Sequence, residues 1–457
     1  MLTMEHAVSA ELASLDIVEA GRRLRKGAVR STALTEACLA RVGERNETLR
    51  AFVSVDTAGA MRQAAQADAE LTSGHDRGPL HGIPIALKDL LDQAGVPTTA
   101  GSHVASSEPA AADAVVTARL RAAGAVIVGK TNLHEYAFGT TSEDSAFGAV
   151  RHPRDIARSA GGSSGGSAAA VLDGMAIAAV GTDTGGSVRI PSACCGLVGL
   201  KPTFGEVPVD GVVPLSTTLD HVGPIARTVA DAAALHAVMA RVAPRELNPP
   251  PADRLRLGRL RGYFEELLEP GIARAYELAL ARFERAGVTL VDVQVPHAAD
   301  LPAIYLHIVL PEAAAFHAAT LERCPERYTP GVRLRLEMGR YVLAEDYLRA
   351  LAAKRVVGAE IDRALDGVDA LVLPTLPIAA PLIGEESVLI GQRREPVRAA
   401  MLRLTQPFNL SGHPALALPC GAGLPLPASV QLVARHARTW RLLDMGAALA
   451  PLAQPRE

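Results

Sequence analysis

The chain of 457 residues sets 46 lysines and arginines against 49 aspartates and glutamates, a formal charge of −3, with 49% hydrophobic and 21% charged residues. That balance excludes a disordered chain and gives no cationic footprint for nucleic acid or an anionic membrane. Five cysteines, Cys38, Cys194, Cys195, Cys324 and Cys420, show neither CxxC nor Cys/His ligand spacing, so neither a disulfide framework nor a zinc site is favoured.

The N-terminal stretch MLTMEHAVSAELASLD carries acids and lacks an apolar segment, so no signal peptide is expected. Residues 12–45 read as two amphipathic helices broken at Gly27, with an N-cap signal at Ser31/Thr32. The basic run Arg22, Arg23, Arg25 and Lys26 reads as the solvated face of the first. AFVSV (51–55) predicts a strand, 57–72 a helix, and IPIAL (83–87) a buried strand that delivers Lys88 at its end. Helix 113–124 and strand AVIVG follow, then helix 167–174 and strand AIAAVG (176–181). Helix 228–242, strand 256–263, helix 271–286 and strand 288–295 continue the alternation. Residues 300–365 read as a helical excursion that shapes one wall of a site. Strands at 370–374, 414–419 and 429–434 and a helix at 438–449 close the chain. Alternating strands and helices predict an α/β fold, a large mixed, mostly parallel central sheet covered by helices on both faces. A single domain over 1–457 is expected. The longest apolar run, AAAVLDGMAIAAVG, is interrupted by Asp173 and too short to cross a bilayer, so a cytoplasmic protein is expected.

The stretch RSAGGSSGGSAAAVLDG (158–174) admits three readings. A flexible linker would not lead straight into a core helix and strand. A phosphate loop needs GxxxxGK[ST], and no lysine follows these glycines. Gly161-x-Ser163-x-Gly165 matches a nucleophile elbow in form, but an elbow follows a hydrophobic strand, and RHPRDIARSA is polar and basic. Downstream, GTDTGGSVRIPSACCG (181–196) does follow an apolar strand, where α/β sheets place their sites. Its Thr184-Gly185-Gly186-Ser187 turn can present successive N–H groups to an oxyanion. Cys194 and Cys195 behind it read as small buried residues.

The run GGSSGGSAAAV through GTDTGGSVRIPSACCGLVGLKPT resembles the amidase signature family. The resemblance extends to HGIPIALKDL (81–90), GKTNLHEYAFGTTSEDSAFG (129–148) and PFNLSGHPALALPCG (407–421), with the core signature over about 81–205. It implies the amidase signature fold and a Ser–Ser–Lys triad: Ser187 as nucleophile, Ser163 as bridging serine 24 residues before it, and Lys88 as base. It further implies an oxyanion turn at Thr184, Gly185, Gly186 and Ser187 and a cis Gly162–Ser163 bond. The chemistry suits these residue types, because a serine hydroxyl needs a base and lysine serves only when neutral. Its pKa of about 10.4 must then fall toward ~7–8 by burial, at roughly 3–5 kcal/mol. Asp89, next along the strand, is expected to point away from the ammonium. Ser164, Asp183 and Arg189 are candidate supports, with an Asp183–Arg189 pair pinning the turn. His81, His134 and His413 are expected to be structural or to line the pocket.

The substrate is less legible. The family's glutamine-cleaving amidotransferase subunits carry a carboxylate shortly before PxNLxG, where this chain has Leu402, with Arg403 beside it. An apolar residue there leaves a substrate ammonium unpaired, although Arg335 could pair with a carboxylate. Tyr136, Gly139 and Thr140, with Ile304, Tyr305, Ile308, Leu310 and Phe316 of the helical excursion, are candidates for the pocket. The resulting expectation is a hydrolase of C–N bonds in small apolar alkyl or aryl amides, carbamates (urethanes) included, acting through an acyl-enzyme. The alternatives are a glutamine-hydrolysing subunit of a tRNA-dependent amidotransferase and a non-catalytic, amidase-like binding protein. No cofactor, metal, nucleic acid or membrane partner is expected, and the chain is expected to be a monomer or homodimer.

Overall fold

A computed structural model describes residues 9–421 and 424–454; the first eight residues of the N-terminal reading lie outside them. In chain order the strands of the central sheet begin with β1 (Phe52–Val55), β2 (Pro84–Lys88) and β3 (Val126–Thr131). A small hairpin, β4 (Arg151–His152) and β5 (Asp155–Ser159), precedes β6 (Ala178–Asp183), β7 (Val198–Lys201) and β8 (His221–Ala226). Then come β9 (Arg256–Leu260), β10 (Thr289–Val293) and β11 (Ala370–Pro374). A second hairpin, β12 (Ser387–Ile390) and β13 (Arg393–Pro396), precedes β14 (Ala415–Cys420) and β15 (Ala428–Val433).

Among the described residues eleven strands form one sheet, ordered β1-β3-β2-β6-β8-β7-β14-β15-β11-β9-β10. The sheet is mixed, as expected, and its parallel ladders lie in two blocks. One is β3-β2-β6 and the other β11-β9-β10. Antiparallel ladders join the blocks through β8, β7, β14 and β15 and add β1 at one edge.

Both faces are apolar because successive residues point to opposite sides and both sides are covered. Ile85 and Leu87 belong to an apolar cluster that also takes in helices Ile17–Arg25, Val115–Ala122, Val229–Ala240 and Thr439–Ala453, while Ala86 between them belongs to the cluster of helix Gly165–Asp173. On the Ala86 side, further along the sheet, Leu371, Leu373 and Val433 pack under helices Leu301–Arg323, Pro330–Gly339 and Ala344–Ala364, the expected excursion. The first of these, with the turn that leads into it (Ala298–Arg323), is long and apolar enough to cross a membrane, at a mean hydropathy of 1.3. Half of it is buried in the protein, and its Glu312 holds the Thr218 and Tyr347 hydroxyls.

Two local expectations are revised. The helix starting at Ser31 is not capped by its own Ser31 or Thr32. Asp68, from helix Thr57–Thr72, accepts from both backbone N–H groups, while the Ser31 hydroxyl donates to the Gly82 carbonyl. Strands β7 and β8 also escape sequence patterning, because Gly199, Gly223 and Pro224 interrupt their apolar runs. Gly223 is required there: a Cβ would lie 2.0 Å from the Leu200 carbonyl oxygen. The basic run at Arg22–Lys26 is, as expected, a solvated face, with Arg22 and Arg23 on Glu19 and Arg25 on Asp76.

Close approach of backbones sets how helix Gly165–Asp173 docks on the sheet. A Cβ at Gly166 would lie 2.3 Å from the Asn132 carbonyl and 2.4 Å from that of Ala51, whereas one at Gly43 meets open space. Gly166→Ala is therefore expected to destabilise by about 1–3 kcal/mol. Gly43→Ala, at an exposed position inside helix Ser31–Leu49, is expected to stabilise by up to about 1 kcal/mol. Urea denaturation of the two variants checks this, and equal effects would contradict the docking described.

Candidate active site

Three segments meet at the end of the β2–β6 ladder. Strand β2 delivers Lys88, the turn before helix Gly165–Asp173 delivers Ser163, and the turn after β6 delivers Ser187. Lys88 has no solvent exposure, and its Nζ donates to Ser163 Oγ at 2.7 Å and to Thr182 Oγ1 at 2.8 Å. Burial pushes the Lys88 ammonium down to about 7, against the pull of Asp220 and Asp183, which raise it. Asp89 points away, as expected, and pairs with the buried Lys130 at 2.8 Å.

The Gly162–Ser163 bond is cis, as expected. The Ser163 carbonyl accepts from the His134 N–H and from the Ser142 hydroxyl, both at 3.1 Å, and Ser142 Oγ accepts from the Gly165 N–H. Gly162 must be glycine, since a Cβ would lie 2.7 Å from the Ser142 nitrogen. Ser164 donates its N–H to the Ser187 carbonyl at 3.3 Å and its hydroxyl to the Thr182 carbonyl, which ties the two serine turns together. Ser187 itself is 5% exposed. Among the described residues its hydroxyl has no hydrogen-bond partner, so the structure brings Lys88 to Ser163 but leaves the Ser163–Ser187 hydroxyl contact unmade.

The 184–187 turn is held from below by charge. Arg189 and Asp183 are fully buried and paired, Nη2 to Oδ1 at 2.9 Å and Nε to Oδ2 at 3.0 Å. Arg189 also donates to the Thr405 carbonyl, Gln431 Oε1 and Asn409 Oδ1, and Asn409 donates back to Asp183. Burial acts to raise the Asp183 carboxyl, but the Arg189 charge outweighs it and holds the group ionised, well below the usual carboxylate range. Asp183 then accepts from the Val188 and Arg189 N–H groups, which orients the turn. Gly186 (φ +136°) has a backbone that side-chain-bearing residues rarely adopt, and a Cβ would lie 2.2 Å from Thr405 Oγ1. Among the described residues nothing accepts from the N–H groups of Gly185, Gly186 and Ser187.

Sequence reasoning passed over Thr182 and Asp220. Thr182 is the second acceptor for Lys88. Asp220 accepts from Thr184 Oγ1 at 2.5 Å and from the N–H groups of Leu215 and Ser216, and its burial raises its carboxyl to about 6. It precedes β8, whose His221 pairs with Asp183, a long-range register with no local signal.

The candidate pocket residues separate. Tyr305 and Leu402 close over Gly185, where a Cβ would lie 2.5 Å from the Tyr305 hydroxyl and 2.8 Å from Leu402 Cδ2. Ile304 and Ile308 are buried in the same cluster, as is Leu310. Phe316, half exposed, lies outside that wall. Gly139 lies against His134, where a Cβ would be 2.1 Å from the ring, and the Thr140 backbone lies against Gly162. Tyr136 turns elsewhere, edge-on to His317 at 4.3 Å between ring centroids. Arg335 sits 3.3 Å from His134 Nε2 and over Phe138, and Arg398, which the sequence reading passed over, faces the same ring. None of the three histidines contacts Lys88 or Ser187 by hydrogen bond: His81 turns to Glu70, His134 to Asp144 and His413 to Asp362. Cys194 and Cys195 are buried behind the turn, as expected.

The sequence and the fold are similar to those of known amidases. The amidase family profile matches residues 33–443. A glutamyl-tRNA(Gln) amidotransferase subunit from Chloroflexus aurantiacus is 37% identical, over 97% of this chain and 98% of that protein. A crystal structure of an amidase superposes with a TM-score of 0.90 at 36% identity, covering 95% of this chain and 99% of the other. The native peptide amidase of Stenotrophomonas maltophilia superposes with a TM-score of 0.83 at 30% identity, covering 97% of each chain. The chain belongs to the amidase signature family of C–N hydrolases.

Proposed function

We propose that the protein cleaves the C–N bond of a small amide through an acyl-enzyme on Ser187. The observation that carries this reading is the solvent-excluded Lys88 held 2.7 Å from Ser163. A neutral lysine accepts the Ser163 proton as Ser163 takes that of Ser187, and Ser187 Oγ attacks the carbonyl carbon. The tetrahedral oxyanion meets the N–H groups of the 184–187 turn, which are already oriented by Asp183 and so need no reorganisation. As the C–N bond breaks, the relay runs backward and the amine leaves protonated. Water, deprotonated by the same relay, then attacks the acyl carbon and releases the acid and Ser187.

Tyr305 and Leu402 over Gly185 support a small alkyl or aryl amide, with carbamates as further substrates, because either offers a carbonyl and an amine leaving group. The second reading, a glutamine-cleaving subunit, is favoured by the amidotransferase relatives; Leu402 speaks against it, since no carboxylate there meets an ammonium, and the Arg335 guanidinium already faces Asp144 at 3.6 Å. The purified chain alone is expected to release amine from an acyl anilide and from an O-alkyl N-aryl carbamate. Ammonia from glutamine alone would establish the second reading.

The pH profile follows from Lys88. Its lowered pKa means that kcat/KM rises with pH through a midpoint of about 7, and Lys88→Met should abolish both the activity and the profile. The same shift has a stability sign. From about pH 7 to 10.5 the unfolded chain holds a proton that the folded chain has released. This group therefore adds stability as pH rises through that window.

Removing the nucleophile and removing its support should separate. Ser187→Ala is expected to abolish turnover while changing stability by less than about 1 kcal/mol. Arg189→Met leaves Asp183 buried without its partner and should destabilise by about 3–5 kcal/mol. Denaturation curves beside activity assays check both, and an unaltered Arg189→Met midpoint would show that the ion pair does not hold the turn.

A further inference from the structure

A second group of chemically capable side chains lies outside the serine–lysine centre, where helix Ala344–Ala364 meets one end of the β14–β15 ladder. Ala415 pairs with Val433, so the residues just before β14 and just after β15 leave the ladder at the same end. That places His413 beside His436, with ring centroids 4.0 Å apart. Asp362, in the last turn of the helix, approaches His413 Nε2 at 3.1 Å through Oδ1. One ligand atom from each of Asp362, His413 and His436 lies within 4.8 Å of the others.

We propose that Asp362, His413 and His436 form a binding site for a divalent transition-metal ion of the zinc type. Two imidazoles and a carboxylate are a borderline donor set that suits zinc, cobalt or nickel better than magnesium or calcium. On a tetrahedral zinc, bonds of about 2.0–2.1 Å place neighbouring ligand atoms about 3.3 Å apart. The His413–Asp362 separation is already close to that. His436 is exposed and the Asp362 side chain half exposed, so both can close the remainder by turning, and the open side leaves positions for water.

The surroundings keep these groups available. Among the described residues Asp362 has no ion-pair partner except His413; the arginines nearby in sequence turn elsewhere, Arg363 to Glu360 and Arg435 to Asp366. His413 is fully buried, and among the described residues its Nε2 meets only Asp362 by hydrogen bond or ion pair. Lys201, whose charge would oppose a cation here, is itself driven strongly toward its neutral form by burial.

Titration of the full chain with zinc, and with cobalt for its visible spectrum, tests the site. The expected result is saturable binding of one ion per chain, with zinc raising the thermal midpoint. His436→Ala and Asp362→Asn, both at exposed positions, should keep the metal-free midpoint of the parent and weaken binding by about 100-fold. No saturable binding by the parent chain would overturn the proposal. So would unchanged affinity in both variants, since the ion would then sit elsewhere.

Discussion

A lysine excluded from water is the constraint around which the site is arranged. Burying an ammonium disfavours its charged form, and the shift of Lys88 to about 7 corresponds to about 5 kcal/mol. Among the described residues three lysines are fully buried, and each is treated differently. Lys130 is given the Asp89 carboxylate, and Lys201 is given His221 and a carbonyl. Lys88 is given the hydroxyls of Ser163 and Thr182, partners that carry no charge and, unlike a carboxylate, can also donate to a neutral amine. Asp183 is nearby, yet its charge is committed to Arg189.

The same economy shapes the two glycine turns. Backbones must approach within van der Waals distance around Gly162, and Gly186 must take a left-handed conformation against Thr405. A side chain at either place would displace a serine from Lys88 or turn the 184–187 N–H groups away from a common point. The ion pair beneath, buried and linked to Asn409, Gln431 and Thr405, connects the turn after β6 to strand β15 and to the segment that precedes β14.

Much of this was legible in the sequence, and for local reasons. IPIAL is a short apolar run that ends in lysine, so its strand and the placement of Lys88 follow from pattern alone. Alternation along that strand also told that Asp89 turns away. The family resemblance supplied Ser163, Ser187 and the cis bond. What stayed hidden depends on pairings distant in sequence. β7 and β8 carry glycine and proline where strands usually do not, and without β8 there was no way to bring Asp220 to Thr184. The cap on the helix at Ser31 comes from Asp68 in another helix, and Arg398 reaches Phe138 from a segment with no recognisable motif.

One quantity decides whether the relay can work, the proton affinity of Lys88 in the folded chain. NMR titration of protein labelled with carbon-13 at the lysine ε position reads it directly, with the signal assigned by its loss in Lys88→Met. The expected midpoint is about 7. A midpoint near the ordinary lysine value of 10.5 would contradict the relay, because Lys88 would then be charged at neutral pH and unable to take the proton from Ser163.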